Sequence, residues 1–580
     1  MKNIEEYRRN LIKTNINVFN NKDKITSILP GHIEVFYEVK QFSTEDKILS
    51  VSIKIINACN LKTYNYQLIK GYMKITQVRC VDSFDNPVRF SIANGIIDID
   101  KMDDKENYVL FSYNVEIGDL RKHGANGGVY SDLLTFPGES VLLMPINALK
   151  ENMEEINGIK KITIKCMVPD IWDVIIPFPK KNVNGITEVI NPTWTSLYEI
   201  RKSSFTFGKF QKQKHLNGKL GYTVYLDKDA EKYYTQSAMR GIDNIYKYYC
   251  ELFNYNLENF AIVLLRKDEV NNNYIISGSS TKNLVSTFDT EIARDWQLFG
   301  HRLFHSFFES QVTATKYHEP PLLNLYEGLA TYYENISMKN LPQNIKNQLS
   351  IDPDNEILEL FQRYVYMKLK NPWNYSLIPN LERKIFSSPA KIEFLHYTQA
   401  PLIVKYLEDL AFKKNGKKDN IINYILKNRD DNSVTVGSIA NSLLGKEAMV
   451  FTHKYISGDD ILPLWGLSIK EENKDVIGKL NTFEYNMYTW FYRENTLYSY
   501  DVLNDDKLSN LSKEADKQGL HFADTMTEAS VKKMSPTIYS LLKEYKLRAK
   551  VCSVNINDKY SRESLLVNKN NLEIWNNYKL

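Results

Sequence analysis

The chain has 580 residues, so three or four domains of roughly 100–200 residues each are expected. It is 43% hydrophobic and 25% charged, which is typical of a folded globular protein and excludes collagenous and disordered chains. The 74 basic and 70 acidic side chains leave a net charge of +4. This charge is too small for a chain of this length to indicate nucleic-acid binding.

The cysteines and the amino-terminal segment indicate a reducing compartment. The five cysteines are odd in number, far apart and never in a C-x-x-C pair, so we expect neither a disulfide framework nor a cysteine zinc site. The first residues, MKNIEEYRRNLIKTN, lack the apolar run of a secretory signal. No stretch approaches the ~20 apolar residues that span a bilayer. We therefore predict a cytoplasmic protein that binds neither membranes nor nucleic acid.

Hydrophobic periodicity divides the chain into regions. Residues 33–177 alternate with a period of two in segments such as HIEVFYEVKQF, ILSVSIKIINA, YVLFSYNVEIG, SVLLMPI and KITIKCMV, which predicts an antiparallel β region. Strand-like GYTVYL and FAIVLL then flank a helical stretch, and helical patterns continue from about Asp295 to about Trp465. The fold class is thus multidomain α+β. The expected regions are 1–200 (β-sandwich-like), 201–345 (α+β), 346–470 (α-helical) and 471–580 (unassigned).

Two histidines in a helical segment suggest a metal site. His301 and His305 are four residues apart, which stacks their imidazoles on one helix face. Such a pair alone is weak evidence, because two histidines on an amphipathic helix also occur by chance. Glu327, 22 residues after His305 in a second helical segment, offers a third ligand. Three protein ligands of this kind are typical of catalytic zinc sites, which keep one position open for water.

These residues resemble the gluzincin metallopeptidases of the aminopeptidase-N and glycyl-aminopeptidase type, whose motif is H-E-x-x-H, a linker and N-E-G-F-A-x-Y-x-E. The chain reads HRLFHSFFESQVT and then YEGLATYYE, and it keeps several further family positions: Phe308, Val312, Thr313, Gly328, Ala330, Tyr332 and Glu334. The linker is three residues longer than in the aminopeptidase-N branch, which a surface loop can absorb. Patchy resemblance covers about residues 25–470. It implies a zinc cofactor on His301, His305 and Glu327, and a thermolysin-like domain in 201–345.

The resemblance also implies a role for Tyr397. Tyr397, in FLHYTQAPLIVKYL, occupies the place of the tyrosine that in active relatives donates a hydrogen bond to the oxyanion of the tetrahedral intermediate. Ala400 and Pro401 replace the Gly and Ala of the family pattern. The alternative is that Tyr397 is a buried helix residue. His318 and His396, which lie near these motifs, are interpreted as structural.

One departure from the family removes the general base. The glutamate of H-E-x-x-H, which takes the proton from zinc-bound water, is Arg302 in this chain. An arginine stays protonated and cannot be a general base. A guanidinium about 5 Å from Zn²⁺ would repel it by several kcal/mol at an effective dielectric near 20. Alternatively, Arg302 swings aside and pairs with Asp295 or Glu309. Among the glutamates, Glu309, Glu319 or Glu334 could act as a surrogate base.

A second departure concerns recognition of a free amino terminus. Aminopeptidases of this family hold the substrate's amine with the glutamate of G-x-M-E-N, whereas this chain has GSSTKN from Gly278. If Asn283 is the asparagine of that motif, Lys282 stands where the acid belongs. Gly278 and Lys282 are therefore the candidate substrate-binding residues, and recognition of a free amino terminus is in doubt.

Three functions remain open from the sequence. In the first, the protein is a metallopeptidase homologue that keeps zinc, is catalytically impaired, and binds a peptide or a small acidic ligand through Arg302 and Lys282. In the second, it is an active zinc-dependent aminopeptidase-like hydrolase that uses another base. In the third, it is a metal-free scaffold that contacts a protein partner.

Overall fold

The computed structural model describes residues 33–41, 48–56, 66–69, 75–93, 95–100, 108–117, 128–130, 133–145, 159–176, 180–183, 186–190, 192, 194–217, 220–227, 234–257, 259–265, 277–312, 317, 322–354, 356–357, 360–361, 364, 395–429, 434–456, 462, 464, 551–556 and 562–568. They fall into two compact units. One is drawn from Glu6–Ser310 and Asn340–Ser350, the other from Gln311–Lys339 and Ile351–Leu580. No helix in the described ranges is both long and apolar enough to cross a membrane.

Short strands build the amino-terminal region of the first unit. In chain order they are β1 (Ile33–Lys40), β2 (Ile48–Ile56), β3 (Tyr66–Ile69), β4 (Ile75–Asp82), β5 (Phe90–Ala93), β6 (Ile96–Ile99), β7 (Tyr108–Glu116), β8 (Gly128–Tyr130), β9 (Leu133–Pro137), β10 (Met144–Pro145), β11 (Ile159–Met167), β12 (Asp173–Ile175), β13 (Lys180–Val183) and β14 (Ile186–Val189).

A seven-stranded sheet with the order β13-β14-β11-β1-β2-β7-β4 dominates this region. Its strands bury alternate residues, as on β7, where Val109, Phe111, Tyr113 and Val115 are buried. The prediction of a purely antiparallel region is wrong at one point, because β1 pairs with β11 in parallel. Alternation reveals which face of a strand is buried, but it carries no information about strand direction.

The segment SVLLMPI also differs from its predicted strand. Only Met144–Pro145 is a strand, and a short 3₁₀ turn, Gly138–Ser140, comes before it. Buried phenols fix the segment against the seven-stranded sheet: Tyr37 Oη donates to Leu143 O at 2.6 Å, and Tyr113 Oη donates to Val141 O at 2.7 Å. Side-chain hydrogen bonds thus satisfy carbonyls that a strand ladder would have used.

The first helix leads into a strand of another sheet. Helix α1 (Trp194–Lys202) packs Leu197 and Ile200 into the core of the β region. It is followed by β15 (Ser204–Gly208), which lies between β12 and β9 in the order β12-β15-β9-β8. Helix α1 ends at Lys202, two residues before β15 begins at Ser204. Its last turn therefore lies next to the sheet that contains β15.

A five-stranded sheet comes next in the chain. Its elements are β16 (Phe210–Asn217), β17 (Leu220–Asp227), α2 (Gln236–Phe253), β18 (Phe260–Leu265), β19 (Ser277–Ser279) and β20 (Asn283–Thr287). The order is β16-β17-β18-β20-β19, with β17, β18 and β20 parallel and the two outer strands antiparallel. All six residues of β18 are buried, which explains why FAIVLL does not alternate.

Three helices follow: α3 (Ala293–Gln311), α4 (Leu322–Ser337) and α5 (Gln343–Leu349). Phe253 of α2 packs against Phe304 and Phe307 of α3, with ring centroids 5.5 and 5.8 Å apart. Tyr249 and Phe253, four residues apart in the aromatic segment KYYCELFNY, are therefore core residues. This packing fixes one face of α3 and leaves the opposite face for polar residues.

Helices form most of the described part of the second unit. After α4 come a π-helical turn (Leu395–Gln399), α6 (Ala400–Asn415), α7 (Asn420–Lys427), α8 (Val436–Leu444) and α9 (Ala448–Phe451). Further along, β21 (Val551–Ile556) and β22 (Arg562–Asn568) pair antiparallel within the region to which the sequence assigned no structure.

Helices α4 and α6 approach each other closely at Gly328. A Cβ atom on Gly328 would lie 2.5 Å from Ala400 Cβ and 2.8 Å from Ala400 C. Only a glycine fits this contact. It sets the position of Glu327, one residue before Gly328, relative to Tyr397, three residues before Ala400.

Candidate metal centre

Helix α3 presents both motif histidines on one face. His301 Nε2 and His305 Nε2 are 3.0 Å apart, and the two rings meet edge to face. His305 is buried, whereas His301 is half-buried. The spacing of four residues turns both imidazoles in the same direction, and the His305 ring lies 6.1 Å from that of Phe304 in the aromatic core.

Glu327 completes a group that can hold a metal ion. One ligand atom from each of His301, His305 and Glu327 can be chosen so that all three lie within 4.8 Å of one another. Among the described residues, this is the group of histidine, cysteine or acidic side chains that meets the distance requirement for a metal site. These are the three residues that the sequence predicts as metal ligands.

The donor set and its spacing fit zinc. A tetrahedral Zn²⁺ with Zn–N distances of about 2.0–2.1 Å holds two nitrogen ligands about 3.3 Å apart. The two Nε2 atoms are already within a few tenths of an ångström of that separation. Two imidazoles and a carboxylate are also the ligand types found at catalytic zinc sites.

The side chain of Arg302 is directed to the sheet. It is 8% exposed, and its Nη1 donates a hydrogen bond to Ser286 Oγ on β20. Ser286 Oγ in turn donates to Thr287 O at 2.8 Å. Asp295, one of the partners considered from the sequence, accepts a hydrogen bond from Asp289 N at 2.9 Å. The sequence did not suggest Ser286, because a buried serine on a strand carries no recognisable signal.

Tyr397 lies on the π-helical turn before α6 and is half-buried. Its neighbour His396 is buried, and its ring lies 5.8 Å from that of Tyr397. Burial lowers the pKa of His396 to about 4, although the charge of Glu327 opposes the shift. A neutral buried imidazole agrees with the structural interpretation of His396.

The hairpin of β19 and β20 carries Gly278 and Lys282. Gly278 pairs with Val285 in the ladder, and a Cβ at Gly278 would collide with Ser204 Oγ. Lys282 is half-buried at the turn. Asn283, the next residue, is fully buried and hydrogen-bonded to Ser204, so its amide holds the hairpin rather than a ligand.

Of the candidate surrogate bases, Glu309 lies near charged groups of α1. Burial favours the neutral amine of Lys202, yet Tyr198, Glu309 and Glu139 hold the pKa of Lys202 above its usual value. Glu334 is buried on α4. Thr313, His318 and Glu319 lie outside the described residues.

Comparison with known proteins supports the fold. No protein-family model and no curated protein matches the sequence. The chain is similar in structure to an aminopeptidase N family protein from Idiomarina loihiensis, with a TM-score of 0.55 and 13% identity over 75% of this chain and 77% of that one. An M1 zinc metallopeptidase from Deinococcus radiodurans gives a TM-score of 0.45 and 12% identity over 74% of this chain and 94% of that one.

At 13% sequence identity, the structural similarity shows that the two proteins share a fold. The chain has a mixed α/β multidomain fold that resembles the fold of this aminopeptidase N family protein. A histidine, histidine and glutamate group stands in that fold.

Proposed function

We propose that this protein is a zinc metallopeptidase homologue that retains the metal site and has lost ordinary peptidase catalysis. In this view it binds a peptide or a small acidic ligand in the cytoplasm and has no role in nucleic-acid or membrane binding. A protein partner that supplies the peptide segment is compatible with this function.

One observation carries the proposal. Three zinc-type ligand atoms converge, while the residue directly after His301 is a buried arginine that donates to Ser286. His301, His305 and Glu327 would hold the metal, which when bound polarises a carbonyl oxygen or a water molecule. Arg302 cannot accept the proton of that water, because its guanidinium stays protonated.

Glu309 is the glutamate on α3 that is best placed to replace the missing base, but it interacts with groups of α1. Glu309 lies one turn after His305, and its charge acts on Lys202 and Tyr198 of α1. This supports an impaired enzyme over an active hydrolase with a surrogate base. Tyr397 keeps its predicted role as an oxyanion donor only if some catalysis survives.

The experiment measures the metal content and peptidase turnover of the full chain, comparing wild type with Arg302→Glu. Arg294→Glu is the matched control, since Arg294 is exposed on the same helix and the charge change is identical. We expect Arg302→Glu to hold zinc more tightly and to gain turnover, and we expect the control to behave as wild type. Chelator-sensitive turnover by the wild type would contradict the proposal. Failure of both proteins to hold zinc in excess metal would show that the ligand assignment is wrong.

A further inference from the structure

The short helix α9, in the second unit, presents two neighbouring apolar side chains to solvent. Met449 is 77% exposed and Val450 is 53% exposed. Ala448 and Phe451 of the same helix are buried, so α9 packs by one face and turns Met449 and Val450 outward. Covering these side chains with a partner would be favourable, because it removes apolar surface from water.

Aromatic packing gives α9 a defined position. The Phe451 ring stacks on that of Tyr406 of α6, with ring centroids 5.9 Å apart. Tyr455, on the π-helical turn Thr452–Ile456 that follows α9, meets both rings edge to face, 5.5 Å from Tyr406 and 5.6 Å from Phe451. The exposed apolar pair therefore stands on a backbone that this packing holds in place, which lowers the entropy cost of binding a partner.

Basic side chains flank the apolar pair. Lys446 precedes Met449 by three residues, and Lys454 follows Val450 by four, spacings that place residues of a helical segment on one face. Both lysines are exposed. Within the described part of the chain Lys446 takes part in no ion pair, so its charge is available to a partner.

The carboxyl end of α6 adds two further lysines. Lys413 and Lys414 lie in its last turn, and both are exposed. Lys414 Nζ donates to Leu443 O at 3.2 Å and would lie 3.4 Å from a Cβ atom on Gly445, the residue before Lys446. We call this exposed surface the α9 patch, and it consists of Lys413, Lys414, Lys446, Glu447, Met449, Val450, His453 and Lys454. Four lysines and one glutamate give it a formal charge of +3 with the histidine neutral.

We infer that the α9 patch is a docking surface for an acidic segment of a partner protein, one that carries apolar side chains beside its acidic ones. The acidic groups would pair with the lysines and steer the approach of the partner. The apolar groups would cover Met449 and Val450. Methionine suits this role, because it is enriched at protein interfaces and its flexible side chain adapts to the partner.

The composition of the patch favours a protein over a membrane. A helix that lies on a membrane presents a long apolar face, often with Trp, Phe or Leu. Helix α9 has four residues and turns Met449 and Val450 outward, and the neighbouring Glu447 would be repelled by an anionic lipid surface. This docking surface goes beyond the proposed function, since none of its residues is a metal ligand or a candidate catalytic residue.

The test measures binding of fluorescein-labelled peptides to the full chain by fluorescence anisotropy. The acidic probe is LEELLEELLEEL, which places leucines and glutamates on opposite faces of a helix. The comparison peptides are LKKLLKKLLKKL, which reverses the charge, and SEESSEESSEES, which removes the apolar side chains. Wild type should bind the acidic probe at least about tenfold more tightly than either comparison peptide.

Variants of the patch locate the binding. Met449→Ser combined with Val450→Ser should weaken binding of the acidic probe by at least about tenfold, because two apolar contacts are lost. Lys446→Glu should weaken it by about threefold or more and make it less sensitive to salt, because an attraction becomes a repulsion. Phe84→Ser and Lys247→Glu, which replace exposed residues of the first unit, are the matched controls and should bind as wild type does. Circular dichroism verifies that each variant is folded.

Three results would overturn the inference. The first is failure of wild type to bind the acidic probe, and the second is binding that the double serine variant leaves unchanged. The third is cosedimentation of wild type with vesicles of phosphatidylserine and phosphatidylcholine that the double variant loses, which would identify a membrane surface as the partner. We expect no cosedimentation. None of these results concerns zinc binding, so the proposed function would stand if the docking surface were refuted.

Discussion

Arg302 and Ser286 form the contact on which the interpretation of the site depends at the residue scale. The guanidinium is buried and donates to a hydroxyl on β20. A buried charge requires such partners, because desolvation costs several kcal/mol per ion. Helical spacing predicts that His301 and His305 share a face, but it does not predict where a long flexible side chain such as Arg302 turns, since tertiary contacts decide that.

Ser286→Ala tests this contact. We expect the free energy of unfolding to fall by about 1–3 kcal/mol, because the variant removes an acceptor from a buried guanidinium. Ser310→Ala is the control, since its hydroxyl donates to Ser306 O of its own helix, and it should change stability by less than about 0.5 kcal/mol. Denaturation in urea measures both. Equal stability of Ser286→Ala and the control would show that the hydrogen bond contributes nothing.

At the scale of elements, the crossing of α4 and α6 sets the position of Glu327 relative to Tyr397 within the second unit. Both helices are predictable from their periodicity, and the starting region of α6 is predicted from the family resemblance around Tyr397. The close approach at Gly328 is not predictable, because sequence patterns show which face of a helix is apolar but not how near a neighbouring backbone lies.

Gly328→Ala tests the crossing. The new Cβ would meet Ala400, whose Cβ is 2.5 Å away, so we expect a loss of about 1–3 kcal/mol in the free energy of unfolding. The double variant Gly328→Ala with Ala400→Gly should recover only part of the loss, since Ala400 C remains 2.8 Å from the new atom. Chemical denaturation of the three proteins measures the recovery. A Gly328→Ala variant as stable as wild type would refute the close crossing.

A buried carboxylate of α6 caps α7 in the same unit. Glu408 Oε2 accepts from Asn420 N at 2.9 Å, and Oε1 accepts from Ile421 N at 2.7 Å. Burial nevertheless raises the pKa of Glu408, although these backbone donors oppose the shift. The folded protein therefore binds this proton more tightly than the unfolded chain does. The stability that this bound proton contributes is fully present below the ordinary pKa of a glutamate. It is lost as the pH rises through the raised pKa of Glu408.

Glu408→Gln removes this titration. The hydrogen bond lost with the substitution costs a similar amount at every pH, so the stability advantage of wild type over Glu408→Gln should shrink between pH 4 and pH 7. Unfolding in urea at several pH values measures the advantage. An advantage that grows with pH would show that the cap favours the charged form and that folding lowers the pKa of Glu408 instead of raising it.

At the scale of the whole molecule, much of the architecture follows from the sequence. Period-two alternation predicts the β strands of residues 33–177, and the unbroken FAIVLL run agrees with a parallel strand that is buried on both faces. The parallel pairing of β1 with β11 does not follow from the sequence pattern. The two strands are more than a hundred residues apart, and only the folded topology brings them together. The group of His301, His305 and Glu327 could be predicted because two of its residues are local to one helix, whereas Ser286, the acceptor for Arg302, required the tertiary structure.

The metal site itself is the central claim. The measurement that tests it most directly is the zinc affinity of the full chain, determined by competition with a chromogenic chelator, for wild type and His305→Ala. His453→Ala, an exposed histidine of the second unit, is the control. We expect wild type and the control to bind zinc equally and His305→Ala to lose at least about a hundredfold in affinity. Equal affinity in wild type and His305→Ala would contradict the claim that His301, His305 and Glu327 hold the metal.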